Sequence, residues 1–159
     1  MDTPSVFLIR RATLDDAEAF TAQRRALYHE IDAAGLERVG HGFDTATRAA
    51  FVAGVTRGSC LAWLAVSDAQ KVVGSTALYL VERLPSLPNP SPLEGYLAHL
   101  FVAPTWRRAG VGSALVRAAQ DEARVRALGR IRLHATESGR ALYERFGFTL
   151  RANAMELRI

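Results

Sequence analysis

Apolar positions recur along this chain at two spacings, and the switches between them divide it into elements. Val6 to Arg11 is apolar enough and short enough for a strand. Thr13-Leu14-Asp15-Asp16 then reads as a helix start, with Thr13 as cap and two acids at the positive end of the helix dipole. Leu14, Ala17, Phe20, Leu27, Tyr28 and Ile31 share one face at helical spacing, which predicts a helix running to about Ile31. Gly35, Gly40 and Gly42 predict a break there. Asp44 is the expected cap of a second, shorter helix that buries Phe51, Val52 and Val55.

Continuous apolar runs follow from Cys60 to Val66 and from Lys71 to Val81, with Asp68-Ala69-Gln70 between them. That spacing predicts an antiparallel hairpin. Leu84 to Leu93 contains Pro85, Pro88, Pro90 and Pro92, so it cannot pair in a sheet and is expected to be an extended loop. A strand from Gly95 to Ala103 comes next and stops at Pro104. A long helix places Val111, Ala114, Leu115, Ala118, Val125 and Leu128 inward and ends at Gly129. Arg130 to Ala135 alternates as a strand, Glu137 to Phe146 forms a short helix closed by Gly147, and two strand-like stretches lead toward Ile159. Strands interspersed with helices in this way indicate an α/β layer structure. The strand ending at Ala103, the helix after it and the strand near Ile131 form a βαβ unit, whose strands run parallel.

Composition narrows the class. The 159 residues are expected to form a single domain, 1–159, with no repeat or linker. Cys60 is the only cysteine and lies in the apolar run CLAWLAV, which points to a buried, inert thiol. Neither the thiol nor the four histidines have metal-ligand spacing, so no metal is expected. The N-terminal apolar run is too short for a signal peptide, and no segment approaches a membrane span, so a cytoplasmic protein without a membrane partner is the expectation. The formal charge is +4, carried almost wholly by arginine because Lys71 is the only lysine. These charges form no long run and no aromatic residues interleave with them, which argues against nucleic acid binding.

One stretch carries candidate chemistry. Arg107-Arg108-Ala109-Gly110-Val111-Gly112 reads RRAGVG and stands where a strand gives way to a helix. It is not a Walker loop, because no Lys followed by Ser or Thr comes after its glycines. It is not a dinucleotide fingerprint either, since Leu115 occupies the third glycine's place and the acids Asp121 and Glu122 come too early. What remains is a helix N-terminus whose free N–H groups converge, suited to a pyrophosphate. A tight strand-to-helix turn with two solvated arginines fits the same residues.

A second stretch, RALYERFGF from Arg140 to Phe148, follows one strand later. Together the two resemble the Gcn5-related N-acetyltransferase (GNAT) family. Arg107, Gly110 and Gly112 match its acetyl-CoA motif, and the second stretch matches its tyrosine-bearing helix that ends in Gly-Phe. The resemblance covers roughly Leu97 to Phe148. It implies a GNAT-type acyl-CoA N-acyltransferase fold, a mixed central sheet with helices on both faces, whose fourth and fifth strands part to admit the cofactor's arm. It also implies that the pyrophosphate of acetyl-CoA rests on the backbone N–H groups of Arg108, Ala109, Gly110, Val111, Gly112 and Ser113, with Arg107 a further cofactor-binding residue at the rim and the pantetheine arm along Leu100, Phe101 and Val102. A backbone N–H near Val102 would hold the oxyanion. Tyr143 would be the general acid to the departing thiolate, a phenol near ~10 against a thiol near ~8.5. Leu142 and Phe146 face the core, which turns Tyr143 about 100° to another side of the helix, and Gly139 one turn back leaves room beside it.

The general base is not set by either motif: Glu94, His99, Glu82 and a water-mediated route stay open. The acceptor is expected to be an amine-bearing small molecule, protein or peptide, bound between Tyr28–Phe43 and Leu84–Leu93. Family members are often dimers, so a homodimer is a further expectation. A non-catalytic acyl-CoA-binding module of the same fold is the alternative function, and Tyr143 favours the enzyme.

Overall fold

Every residue of Cys60–Ser67 is buried, as in a strand covered on both faces. This strand, β2, lies second in a five-stranded sheet of order β1-β2-β3-β4-β5. The computed structural model describes residues 6–159, and the reading of the first five residues as part of a short N-terminal run lies outside them. The other strands are β1 (Phe7–Arg11), β3 (Val72–Glu82), β4 (Leu93–Val102) and β5 (Ile131–Arg132). The helices are α1 (Ala17–Val39), α2 (His41–Arg57), α3 (Val111–Val125) and α4 (Glu137–Arg145). β1 to β4 pair antiparallel in succession, and β4 pairs β5 in parallel, as a βαβ crossover requires.

The sheet has a core on each face. On one, α3 lays Val111, Leu115, Ala119 and Ala123 on Leu61, Trp63, Val73, Leu78 and Leu97. On the other, Phe20 of α1 and Phe51 of α2 stack at 4.6 Å over Ala62, Leu64 and Ala77. Helices on both faces of a mixed sheet are thus as expected. Among the described residues no helix is long and apolar enough to cross a membrane.

Several boundaries differ from the sequence expectation. α1 does not stop near Ile31. It leaves helical geometry only at Asp32 (φ −153°, ψ 72°) and then resumes. The Asp32 carboxylate accepts the Gly35 N–H at 2.9 Å, an N-cap that restarts the helix. A Cβ at Gly35 would collide with that carboxylate, so Gly35 serves the restart and does not break the helix. α2 begins at His41, and Asp44 binds Arg25 of α1 instead of capping. Leu14, Ile31 and Val125 are exposed, because each sits at a helix end or kink beyond the sheet that would cover it. The strand-like stretches after Phe148 form no strand: residues 149–159 are exposed and join no strand among the described residues.

Candidate active site

β4 and β5 pair over only two rungs, Gly95 with Ile131 and Tyr96 with Arg132. Beyond them the strands part, and the strand expected over Arg130–Ala135 is reduced to Ile131–Arg132. Backbone groups alternate along a strand, so the register says which are left open. The Ala103 N–H donates to Val73 of β3 at 2.9 Å. His99 and Phe101 therefore also face β3, while Leu100 and Val102 turn their N–H groups into the gap. The Val102 carbonyl faces the gap too and accepts from Arg107 Nε at 3.1 Å. A bulge at Ala98 separates these residues from the paired part of β4.

The RRAGVG loop lies at the end of this gap. Gly110 takes φ +85° as the N-cap of α3, a conformation that penalises any Cβ. Arg108 is left-handed as well, at φ 66°. The first helical bond is Ala114 N–H to the Gly110 carbonyl, and among the described residues no side chain caps the helix. The N–H groups of Arg108 to Ser113 consequently have no partner among the described residues, and they line a positive helix end. Gly112 has a different role. A Cβ there would meet Leu142 at 3.2 Å and Val102 at 3.7 Å, so glycine lets α3 approach α4 and β4.

Arg107 is placed differently from a phosphate ligand. Its Nη2 donates to both carboxylate oxygens of Glu30, at 2.6 and 2.8 Å, while its Nε holds Val102. It thereby ties α1 to the gap.

Thr136 caps α4 by accepting the Gly139 N–H at 3.2 Å. Tyr143 packs on the α3-side core and against Phe148, with ring centroids 5.7 Å apart. Burial alone pushes its phenol up to about 12. The room left at Gly139 is taken by the Tyr143 ring itself, 3.3 Å from where a Cβ would stand.

With this geometry in view, the family model described as "Acetyltransferase (GNAT) family" matches residues 24–148, most of the chain. The chain belongs to this family of acetyltransferases. No curated protein sequence matches it significantly. A GCN5-related N-acetyltransferase from Ralstonia eutropha JMP134 is similar in structure, with TM-score 0.85, 26% identity, and coverage of 96% of this chain and 99% of the other. A predicted acetyltransferase from Clostridium acetobutylicum, solved with acetyl-CoA, has TM-score 0.85, 21% identity and 96% coverage of both chains. An aminoglycoside N-acetyltransferase in complex with CoA has TM-score 0.78, 17% identity, and coverage of 100% and 98%.

In this acetyltransferase the candidate bases have distinct environments. Glu94 is 2% exposed and binds Arg83, Arg130 (2.6 Å) and Arg132 (3.7 Å). Burial pushes its carboxyl up, but the Arg130 hydrogen bond and the three positive charges together hold it below the usual range. It is committed to joining β4, β5 and the proline-rich loop. His99 is 3% exposed, and its Nε2 lies 2.8 Å from Ser75 Oγ. Its Nδ1 has no partner among the described residues, and burial, aided by Arg24, lowers the imidazole to about 3. Glu82 ends β3 opposite Leu93 and is exposed. His99 and Ala98 line a cavity of about 330 Å³ with Phe20, Arg24 and Phe43, on the α1–α2 face of β4. Arg24 also donates to the Ala98 carbonyl at 3.0 Å.

Two contacts here had no sequence signal. Glu30 meets Arg107 across 77 positions, and Tyr96 meets His134 across 38. Neither pair belongs to a motif. Cys60 is buried, and burial pushes its thiol up, which suits an inert core position.

Proposed function

We propose that the protein is a single-domain cytoplasmic enzyme that transfers the acetyl group of acetyl-CoA to a primary amine. The observation that carries this reading is the alignment of two sets of free N–H groups. Six, from Arg108 to Ser113, suit a pyrophosphate, and those of Leu100 and Val102 continue from them along the gap beside β4. In the parted strands, the pantetheine arm replaces the missing neighbour of β4. The amine nitrogen attacks the thioester carbonyl carbon, and the negative charge on its oxygen is held by one of the open β4 N–H groups. The C–S bond then breaks, and the thiolate takes a proton from Tyr143. A phenol near 12 stays protonated at neutral pH and is available as donor. The same burial raises the thiol, so the gap between the two groups is narrower than the phenol's shift alone suggests. Acceptor amines approach from the α1–α2 face, and a homodimer remains part of the proposal.

The test is thiol release from acetyl-CoA over a panel of tyramine, spermidine, kanamycin and an alanine-initiated peptide. Kanamycin and the peptide are included because structural relatives are named an aminoglycoside N-acetyltransferase and a ribosomal-protein-alanine N-acetyltransferase. Tyr143→Phe should retain acetyl-CoA affinity and lower kcat about 100-fold. Acetyl-CoA binding without amine-dependent release would instead indicate a binding module, and unchanged kcat in the variant would remove Tyr143 from the mechanism.

A further inference from the structure

Besides the Glu94 ion pairs, a second side-chain contact joins β4 to the segment after β5 at the point where the strands part. Tyr96 is in the last paired rung, and its hydroxyl lies 2.7 Å from Nδ1 of His134, two residues beyond the end of β5. The rings sit 5.8 Å apart at 64°. Side chains alternate across β4, with Leu97, Leu100 and Val102 packing on the α3 face. Tyr96 points the other way, to the α1 face. The groups that act on it electrostatically are Tyr28 and Arg24, both on α1. From the C-terminal segment Glu156, paired with Arg158, faces His134. His134 is exposed, and Tyr96 is half-buried.

On the acetyl-CoA reading, which this inference requires, position along β4 has a chemical meaning. A pantetheine arm of about 15 Å spans roughly four to five strand residues at ~3.3 Å each. An arm that starts at the α3 N-terminus uses part of this length before Val102, and therefore brings its sulfur to the stretch between Leu100 and Ala98, within reach of the open Leu100 N–H. Tyr96 lies just beyond, on the face opposite the one that carries Tyr143. Glu94 and His99 do not compete for this place, since one is bound to three arginines and the other is enclosed.

We infer that Tyr96 and His134 form the proton exit for the acceptor amine. An incoming ammonium gives a proton to Tyr96 Oη while the Tyr96 hydroxyl proton passes to His134 Nδ1. The imidazolium, whose ring faces solvent, returns its charge to water. The free amine then attacks the thioester. Of the two protons the nitrogen loses, this relay removes one, and the other offsets the proton that Tyr143 gives to the thiolate. Tyr96 is the catalytic residue of the pair, and His134 acts through it.

The experiment uses the panel amine with the fastest wild-type thiol release, over a range of pH. Tyr96→Phe should lower kcat about 100-fold at a pH two or more units below the amine's own pKa, and the deficit should close as pH approaches that pKa, near ~10 for an alkylamine and ~8 for the peptide's α-amine. His134→Asn keeps a hydrogen-bond acceptor beside Tyr96 but cannot hold the proton, so its deficit should be smaller and close in the same direction. The Kd for acetyl-CoA and the melting temperature should be unchanged in both. Wild-type kcat in either variant, or a deficit equal at every pH, would overturn the relay. Absence of amine-dependent release in the wild type would overturn the acetyltransferase reading itself, a separate result.

Discussion

Gly110 offers a direct test of where the cofactor's phosphates sit. It adopts φ +85°, and a Cβ built on it meets nothing within 4 Å. A side chain here therefore costs backbone strain without a clash, about 1–2 kcal/mol for a left-handed L-residue. At roughly 2–4 °C per kcal/mol for a domain of this size, ligand-free Gly110→Ala should melt about 2–8 °C below wild type. Acetyl-CoA at 100 times its Kd should stabilise the wild type by about 2.7 kcal/mol, a rise of roughly 5–11 °C. Gly110→Glu has the same backbone cost, but its carboxylate enters the open space in front of the free N–H groups and repels phosphate. Its ligand-induced rise should vanish, while Gly110→Ala keeps a reduced one. Thermal shift with and without acetyl-CoA reads both quantities. A full wild-type rise in Gly110→Glu would refute the placement of the pyrophosphate, whatever the melting temperature of the free variant.

Two buried titratable groups give further expectations. Glu94→Gln leaves three arginines without their carboxylate, and should cost about 3 kcal/mol, the low end for a broken buried pair because the arginines are partly exposed. That corresponds to roughly 6–12 °C in Tm, and a change under about 2 °C at pH 7 would contradict it. Because the folded Glu94 carboxyl is depressed, its stabilisation is present above the unfolded carboxyl range and lost as pH falls through the folded value. For His99, lowered from 6.5 to about 3, the unfolded state binds the extra proton between those values. Stability should therefore fall by about 1.4 kcal/mol per pH unit on acidification through that window. Urea midpoints of His99→Gln should show a shallower slope, and an unchanged slope would count against a buried neutral imidazole.

The core of the fold was legible because burial imposes a period. β2, β3, the proline-rich loop and the inward face of α3 around Val111 and Leu115 follow from local pattern alone. Helix ends were less so. Gly35 reads as a breaker in isolation, yet three residues earlier Asp32 supplies the cap that makes it a restart. The tail shows the converse failure, since Met155, Leu157 and Ile159 alternate like a strand but meet no partner strand among the described residues, and a strand needs one.

By itself the sequence determined the family and the two segments on which the proposed donor site rests. RRAGVG and RALYERFGF are local signatures, because a helix N-terminus and its free N–H groups are built from consecutive residues. The tertiary structure alone decided what those residues touch. Arg107 turned to Glu30 and Val102, Glu94 became a structural acid among three arginines, and Tyr96 met His134 at the parting of two strands. Each of these contacts joins positions far apart in the chain, and neither spacing nor composition constrains which distant side chain completes a pair. The gap between β4 and β5 belongs to the same class. It arises because β5 ends after Arg132, and only the paired sheet reveals which N–H groups that leaves open.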